Sequence, residues 1–87
     1  MKELFYFYLS DCPYCHQAEK WLKELKAESP RYAAVPVRFI EETQEKALAD
    51  AYDYYLVPTF FLGDKKLHEG IADKEKIRAV LEAALEG

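Results

Sequence analysis

Residues 2–9 (KELFYFYL) are apolar and aromatic almost throughout, and an amphipathic segment follows them closely. A run of this kind is expected of a central strand that is buried on both faces. The following segment, residues 13–26, carries apolar side chains at a spacing of three or four, at Cys15, Ala18, Leu22 and Leu25. That spacing predicts an amphipathic helix. A strand that leads at once into a helix is typical of an α/β domain.

The rest of the chain alternates short extended and helical segments. We predict strands at 35–40 and 59–62, a helix over about 43–54, and a tight turn at 63–65 after which 66–69 pairs back. Asp73 is a plausible N-cap for the last helix. The apolar face of that helix contains Ile77, Val80, Leu81, Ala84 and Leu85.

The predicted order of elements is therefore β-α-β-α-β-β-α. The first two strands need a crossover helix between them, so they should lie parallel with a right-handed connection. The last two strands form a hairpin, which makes the sheet mixed. Residues 1–87 are thus expected to form a single domain, a three-layer α/β/α sandwich around a four-stranded mixed sheet.

Charge and hydropathy exclude several classes of partner. Twelve Lys and Arg against sixteen Asp and Glu give a net charge of −4, and without a basic stripe we expect no binding to nucleic acid or to anionic membranes. The longest apolar run is too short to span a bilayer, and the N-terminus lacks the features of a signal peptide. We therefore expect a cytoplasmic protein. We also expect it to be a monomer.

Both cysteines lie in one motif, Cys12-Pro13-Tyr14-Cys15, at the junction between the first strand and the first helix. Proline is favoured at the first helical position, which makes Cys12 the N-cap. The positive end of the helix dipole then favours a thiolate at Cys12, the expected nucleophile. Cys15 lies one turn later on the same face, close enough to attack a mixed disulfide formed on Cys12.

Other interpretations of this motif remain open. The two cysteines could be ordinary structural residues, although a Cys-Pro-x-Cys motif at a strand–helix junction is a demanding coincidence. They could instead be metal ligands, within one chain or across a dimer. His16 and His68 would then be the only imidazole ligands, and no second cysteine pair exists to complete the set.

With this motif and this order of elements, the chain resembles the glutaredoxin branch of the thioredoxin superfamily. A second match is Val57-Pro58-Thr59, just before the third strand. The resemblance implies that Pro58 follows a cis peptide bond beside the active-site cysteines, and that Val57 offers backbone hydrogen bonds to a substrate. It also places Gly63 in the hairpin and Gly70 at the turn that leaves the sheet.

Two departures concern glutathione. Glutaredoxins usually carry a cation a few residues before the first cysteine, where this chain has residues 8–11 (YLSD), and Ile71 stands where the family's Gly-Gly-x-Asp signature has its second glycine. Asp73, the last residue of that signature, would either bind the amine of glutathione or act only as a helix N-cap. Either glutathione or a flavoprotein of the thioredoxin-reductase type would supply the electrons.

The function predicted from these residues is thiol–disulfide oxidoreduction, with reduction of protein or small-molecule disulfides and no tightly bound cofactor. Tyr14 should project toward solvent, where it covers a bound substrate or shields the disulfide. Two alternatives come from other classes: a carrier of an iron–sulfur cluster held between two chains with glutathione, and a redox-inert binding module.

Overall fold

A computed structural model describes residues 2–87 and contains a four-stranded sheet covered by helices on both faces. The predicted α/β/α architecture is confirmed. The strands are β1 (Leu4–Tyr8), β2 (Val37–Glu41), β3 (Thr59–Leu62) and β4 (Lys65–Glu69). The helices are α1 (Pro13–Glu28), α2 (Pro30–Ala33), α3 (Lys46–Asp50) and α4 (Lys74–Glu86).

The strand order in the sheet is β2-β1-β3-β4. Strand β1 runs parallel to β2 and antiparallel to β3, and β3 runs antiparallel to β4. In this register Tyr8 lies opposite Glu41, and Thr59 lies opposite both Phe7 and Glu69. The C-terminal ends of β1, β2 and β4 therefore lie next to the N-terminal end of β3, at one end of the sheet.

Alternate residues of the central strands divide the core into two parts. On one face the sheet packs against α1, α2 and α4, and its fully buried side chains there include Leu4, Tyr6 and Phe60. On the other face Phe7 and Phe61 pack with Ile40 and Ala49. Because β1 and β3 lie between two helical layers, both can be apolar on both faces.

The helix predicted over about 43–54 is shorter than expected, because the structure forms only α3 (Lys46–Asp50) there. Residues before it form a turn in which the N–H groups of Gln44 and Glu45 donate to the Glu41 carbonyl oxygen. Residues after it leave the helix, and the rings of Tyr52 and Tyr54 pack within 5.0 Å of the Phe7 ring, centroid to centroid. Aromatic packing on the sheet therefore takes precedence over helical periodicity here.

Two further details were not predicted from the sequence. Helix α1 ends at Glu28 with Ser29 as its C-cap, and Pro30 then starts the short helix α2, where its missing N–H has no cost. The strand predicted at 35–40 begins at Val37, because Pro36 lacks the N–H that a strand pairs. The Pro36 carbonyl still accepts a hydrogen bond from the Leu4 N–H at 2.8 Å. Within residues 2–87, no helix combines the length and the apolar character that a membrane crossing requires.

Candidate active site

Cys12 lies at the N-terminus of α1. Its backbone is extended, with φ −92° and ψ 114°, and Pro13 is the first helical residue, as the sequence predicts. The His16 N–H donates to the Cys12 carbonyl oxygen at 3.1 Å, which starts the helical ladder. No side chain caps this helix, so the Cys12 sulfur is left available to other partners.

Cys15 is fully buried, whereas Cys12 is half-exposed, and both are free thiols. Burial raises the pKa of the Cys15 thiol to about 12, and a hydrogen bond from that thiol to Cys12 acts in the same direction. Cys15 therefore keeps its proton at neutral pH and presents it to the Cys12 sulfur. This arrangement divides the pair into an accessible thiol and a protected one.

The loop before Cys12 is held by two side chains from other elements. The Glu41 carboxylate accepts hydrogen bonds from the Ser10 N–H at 3.0 Å and from the Ser10 hydroxyl at 2.9 Å. The His16 Nε2 lies 2.7 Å from the Ser10 carbonyl oxygen, and the Cys12 N–H donates to the Leu9 carbonyl oxygen at 3.2 Å. These contacts fix the backbone that delivers Cys12 to the helix.

Val57, Pro58 and Thr59 lie at the end of the sheet where β1 leads to Cys12, since Thr59 is the first residue of β3 and pairs with Phe7. The Val57–Pro58 peptide bond is cis. Pro58 and Thr59 are buried while Val57 is half-buried. The Gly70 N–H donates to the Pro58 carbonyl oxygen at 2.8 Å, so Gly70 and Pro58 are brought together across the sheet.

An exposed apolar surface flanks this loop. It consists of Tyr55, Leu56 and Ile71, which are 90%, 61% and 61% exposed, and we call it the apolar rim. Its two segments lie close together, because Gly70 directly precedes Ile71 and a Cβ on Gly70 would lie 3.4 Å from the Leu56 Cδ1 atom. Tyr14, half-exposed at the start of α1, adds a further solvent-facing aromatic ring.

Glu69 holds the backbone of the apolar rim in place. Its carboxylate accepts hydrogen bonds from the Tyr55 N–H at 2.5 Å and the Leu56 N–H at 2.9 Å, and it pairs with Lys66 at 2.6 Å. The bond from Lys66 and these two N–H groups lower the pKa of Glu69 to about 2. The loop before Pro58 is thus tied to β4 by a carboxylate that stays ionised.

Asp73 caps α4, as the sequence predicts. Its Oδ1 atom accepts a hydrogen bond from the Lys76 N–H at 2.8 Å. Gly70, three positions earlier in the signature, has φ +94°, a conformation that L side chains rarely adopt.

The two histidines lie in separate environments. His16 contacts the Ser10 carbonyl oxygen and His68 lies 3.0 Å from the Gly70 carbonyl oxygen. In the described part of the chain, no three His, Cys, Asp or Glu side chains converge in a way that would hold a metal ion.

A buried tyrosine contacts the Cys15 segment from the sheet. The Tyr6 hydroxyl lies 2.9 Å from the Glu19 Oε2 atom and 3.0 Å from the Cys15 carbonyl oxygen. Tyr6, Glu19, Glu41 and Glu69 were not predicted from the sequence as site residues. Glu69 ends a predicted strand and Glu41 directly follows one, but the local pattern does not show that their carboxylates bind the backbone of neighbouring loops.

Comparison with known proteins gives a consistent result. Residues 2–85 match a family described as a thioredoxin-like domain. No curated protein matches the sequence. Among solved structures, a mutant thioredoxin from Halobacterium salinarum is 26% identical with a TM-score of 0.71, and the alignment covers 98% of this chain and 75% of that one.

Two further solved structures share the fold at lower identity. A malarial protein is 14% identical with a TM-score of 0.70, over 95% of this chain and 96% of its own. The germline-specific thioredoxin Deadhead from Drosophila melanogaster is 20% identical with a TM-score of 0.69, over 93% of this chain and 78% of its own.

Proposed function

The chain belongs to the thioredoxin-like domain family, and from that premise we propose that Cys12 and Cys15 are the dithiol of a reductase that acts on protein disulfides. The fold with its two neighbouring cysteines supports thiol–disulfide oxidoreduction in general. The finer proposal rests on one observation: Cys12 is accessible at a helix N-terminus, while Cys15 is fully buried one turn later.

In the first step the Cys12 thiolate attacks one sulfur of the substrate disulfide. A bond forms between Cys12 and that sulfur, the substrate S–S bond breaks, and the second substrate sulfur leaves as a thiolate. The thiol of Cys15 donates a hydrogen bond to the Cys12 sulfur that makes this attack.

In the second step Cys15 loses its proton and attacks the Cys12 sulfur of the mixed disulfide. The Cys12–Cys15 bond forms, and the first substrate sulfur leaves with the electron pair of the bond that breaks. The substrate has gained two electrons and the protein has lost two. An external donor must then reduce the Cys12–Cys15 disulfide to restart the cycle.

The apolar rim favours a polypeptide as the substrate. Tyr55, Leu56 and Ile71 present large side chains to solvent beside Pro58, and an exposed apolar cluster of this kind marks a surface that binds another protein. We propose that an extended segment of the substrate covers the rim and pairs with the backbone of Val57, while Thr59 and Gly70 hold the Pro58 loop in place.

The residues before Cys12 and the cap of α4 favour a flavoprotein reductase over glutathione as the electron donor. Leu9, Ser10 and Asp11 offer no cation to a glutathione carboxylate, and Asp73 already uses one carboxylate oxygen to cap α4. In a cytoplasmic compartment, where thiols are kept reduced, the net reaction would be reduction of the substrate.

The decisive experiment compares two serine variants with the parent protein in the reduction of insulin. Cys15→Ser should accumulate a covalent complex with insulin that dithiothreitol dissolves, because the second step is blocked. Cys12→Ser should lose turnover and form no complex, since the accessible thiol is gone. If Cys12→Ser reduced insulin at the parent rate, the proposal would be wrong.

The electron donor is tested separately on the parent protein. Turnover with NADPH and a thioredoxin reductase should exceed turnover with NADPH, glutathione and glutathione reductase. Faster turnover with glutathione would contradict the proposed donor and leave the dithiol mechanism in place.

A further inference from the structure

Strand β2 lies at one edge of the sheet, and among the described strands it pairs only with β1. The Leu4 N–H donates to the carbonyl oxygen of Pro36, the residue before β2, at 2.8 Å. Backbone groups point to alternate sides along a strand, so the even-numbered positions of β2 face β1. The N–H and C=O groups of Val37 and Phe39, and the N–H of Glu41, therefore point away from the sheet.

Phe39, at the centre of β2, leaves a large apolar ring in solvent. The ring packs against Tyr6 with its centroid 5.2 Å away, yet the residue is 47% exposed. Between this ring and α1 lies an open groove of about 340 Å³, lined by Phe39, Glu19, Leu22, Lys23 and Lys26. Outward-facing backbone groups and an exposed apolar ring thus lie side by side along β2.

The opposite edge of the sheet is protected against pairing. Strand β4 carries the exposed cations Lys65 and Lys66, and its pairing with β3 contains a register shift. Both features discourage the addition of another strand. The one cation of β2, Arg38, lies over the Phe5 ring and pairs with Glu45, on the face of the sheet opposite to the groove. It therefore leaves the edge of β2 open.

We propose that a second copy of this chain binds at β2, with the two β2 strands antiparallel about a two-fold axis at Phe39. In this register the two Phe39 residues exchange both of their N–H···O=C bonds, and each Glu41 N–H donates to the Val37 carbonyl oxygen of the other copy. The two four-stranded sheets then join into one continuous sheet. This dimer differs from the monomer expected from the sequence, because the sequence pattern does not show which strand lies at the edge.

The order of charges along the groove favours a second copy as the occupant. Glu19 lies at one end of the groove and Lys26, seven residues later on α1, lies at the other. Each is held by one bond within its own chain, from the Tyr6 hydroxyl to Glu19 at 2.9 Å and from Lys26 to the Val35 carbonyl oxygen at 2.9 Å. A two-fold axis at Phe39 reverses the order of the charges, so each carboxylate faces the ammonium group of the other copy.

The spacing of the helices is compatible with this contact. On the face that carries Phe39, helices α1 and α4 cover four strands, so each covers a width of about two strands, or roughly 10 Å. In the joined sheet the two α1 helices would lie about the same distance apart, which is the usual packing distance between helices. Leu22, in the middle of the groove, would then contact the other copy.

The dimer leaves the dithiol accessible. Cys12 follows the C-terminal end of β1, which runs parallel to β2. Antiparallel β2 strands therefore place the two Cys12 residues at opposite ends of the joined sheet. The dimer does not rest on the proposed reaction, so failure of one leaves the other in place.

Sedimentation equilibrium of the full chain tests the dimer directly. The mean mass should rise with concentration from 10.2 kDa toward twice that mass. Phe39→Lys should remain at the mass of one chain, because a charge at the centre of an edge strand blocks pairing; circular dichroism shows that the variant is folded. A parent mass that stays at 10.2 kDa up to about 1 mM would overturn the proposal, as would a Phe39→Lys variant that associates like the parent.

A charge exchange tests the register of the two copies. Lys26→Glu and Glu19→Lys should each raise the dissociation constant at least about tenfold, because like charges then face each other. The double variant Glu19→Lys/Lys26→Glu should return to within about threefold of the parent constant. Lys20→Glu, exposed on α1 outside the groove, changes the net charge as Lys26→Glu does and should associate like the parent. A double variant that does not recover would contradict the two-fold axis at Phe39.

Amide hydrogen exchange, followed by NMR, locates the contact independently of any substitution. At concentrations where the dimer forms, the N–H groups of Phe39 and Glu41 should exchange at least about tenfold more slowly than in dilute protein. Amides of β4, at the other edge, should exchange at the same rate in both samples. Protection that appears in β4 and not at Phe39 would place the contact elsewhere and refute pairing through β2.

Discussion

The carboxylate of Glu41 binds both the N–H and the hydroxyl of Ser10, at 3.0 and 2.9 Å. Glu41 is the last residue of β2, and Ser10 lies in the loop that leads from β1 to Cys12. The other carboxylate oxygen accepts from the N–H and the hydroxyl of Thr43, both at 2.6 Å. One carboxylate thus anchors the loop before the nucleophile to the edge of the sheet.

We expect Glu41→Gln to destabilise the protein at neutral pH but much less in acid. The Thr43 hydroxyl and the backbone N–H groups of Ser10 and Thr43 lower the pKa of Glu41 to about 2, from an ordinary value of 4.5. A depressed pKa contributes stability above the unfolded value, and this contribution is lost as pH falls from about 4.5 to 2. The melting temperature of the variant should drop by about 5 °C or more at pH 7.

Circular dichroism melts at pH 7 and pH 2.5 measure this difference. Glu45→Gln is the matched control, since Glu45 forms only an exposed ion pair with Arg38, and such pairs contribute little. An equal loss for Glu41→Gln at both pH values would contradict the ionised anchor.

The two cysteines should differ sharply toward alkylating agents. Cys12 is half-exposed, whereas Cys15 is fully buried and its pKa is raised to about 12. We expect iodoacetamide at pH 7.5 to modify Cys12 in the folded protein at least about a hundredfold faster than Cys15, because only a thiolate reacts. Peptide mass spectrometry after timed quenching measures both rates.

Denaturation provides the control for this experiment. In guanidinium chloride both cysteines lose their structural environment, so their alkylation rates should converge to within a few-fold. If Cys15 were alkylated as fast as Cys12 in the folded state, the assignment of an accessible and a protected thiol would be wrong.

The sequence predicted the parts of this fold that depend on local pattern. The apolar run that became β1, the spacing of Ala18 and Leu22 on α1 and the cap at Asp73 each follow from residues close together in the chain. The Cys-Pro-x-Cys motif was located by the same reasoning, since its position depends only on where one strand ends and one helix begins.

Features that depend on distant contacts were missed. The helix predicted over 43–54 shortened because Tyr52 and Tyr54 pack on Phe7, a contact that requires the completed sheet. Likewise, the role of Glu41 depends on the parallel pairing of β1 with β2, which brings Ser10 within reach of its carboxylate. A local pattern carries no signal for either partner.

Replacing both Leu56 and Ile71 with serine should impair the reduction of proteins but not of small disulfides. Both side chains are 61% exposed beside the Pro58 loop, so the folded protein loses little stability when they are removed. A bound polypeptide would lose the burial of two apolar side chains, and we expect kcat/KM for insulin to fall about tenfold or more. The rate with 5,5′-dithiobis(2-nitrobenzoate) should stay within about twofold of the parent.

Lys65→Ser serves as the control for this variant, because Lys65 is exposed at the opposite end of β4 from the apolar rim. It should leave both reactions unchanged. Equal losses with insulin and with the small disulfide would indicate damage to the dithiol and contradict a docking role for the rim.

Two glycines allow backbone strain to be separated from effects on the site. Gly63 and Gly70 both have positive φ, +62° and +94°, so alanine at either position should cost about 1–2 kcal/mol of unfolding free energy. A Cβ at Gly63 meets no atom within 4 Å, whereas at Gly70 it lies 3.4 Å from the Leu56 Cδ1 atom.

Gly70→Ala should therefore also lower the rate of insulin reduction. The added methyl group would shift the Leu56 side chain and weaken the hydrogen bond from the Gly70 N–H to the Pro58 carbonyl oxygen. Gly63→Ala should be destabilised to a similar degree but reduce insulin at the parent rate. Urea unfolding and insulin turnover, measured on both variants below the onset of unfolding, give the comparison. Parent-like insulin turnover by Gly70→Ala would show that the turn at Gly70 serves the fold alone.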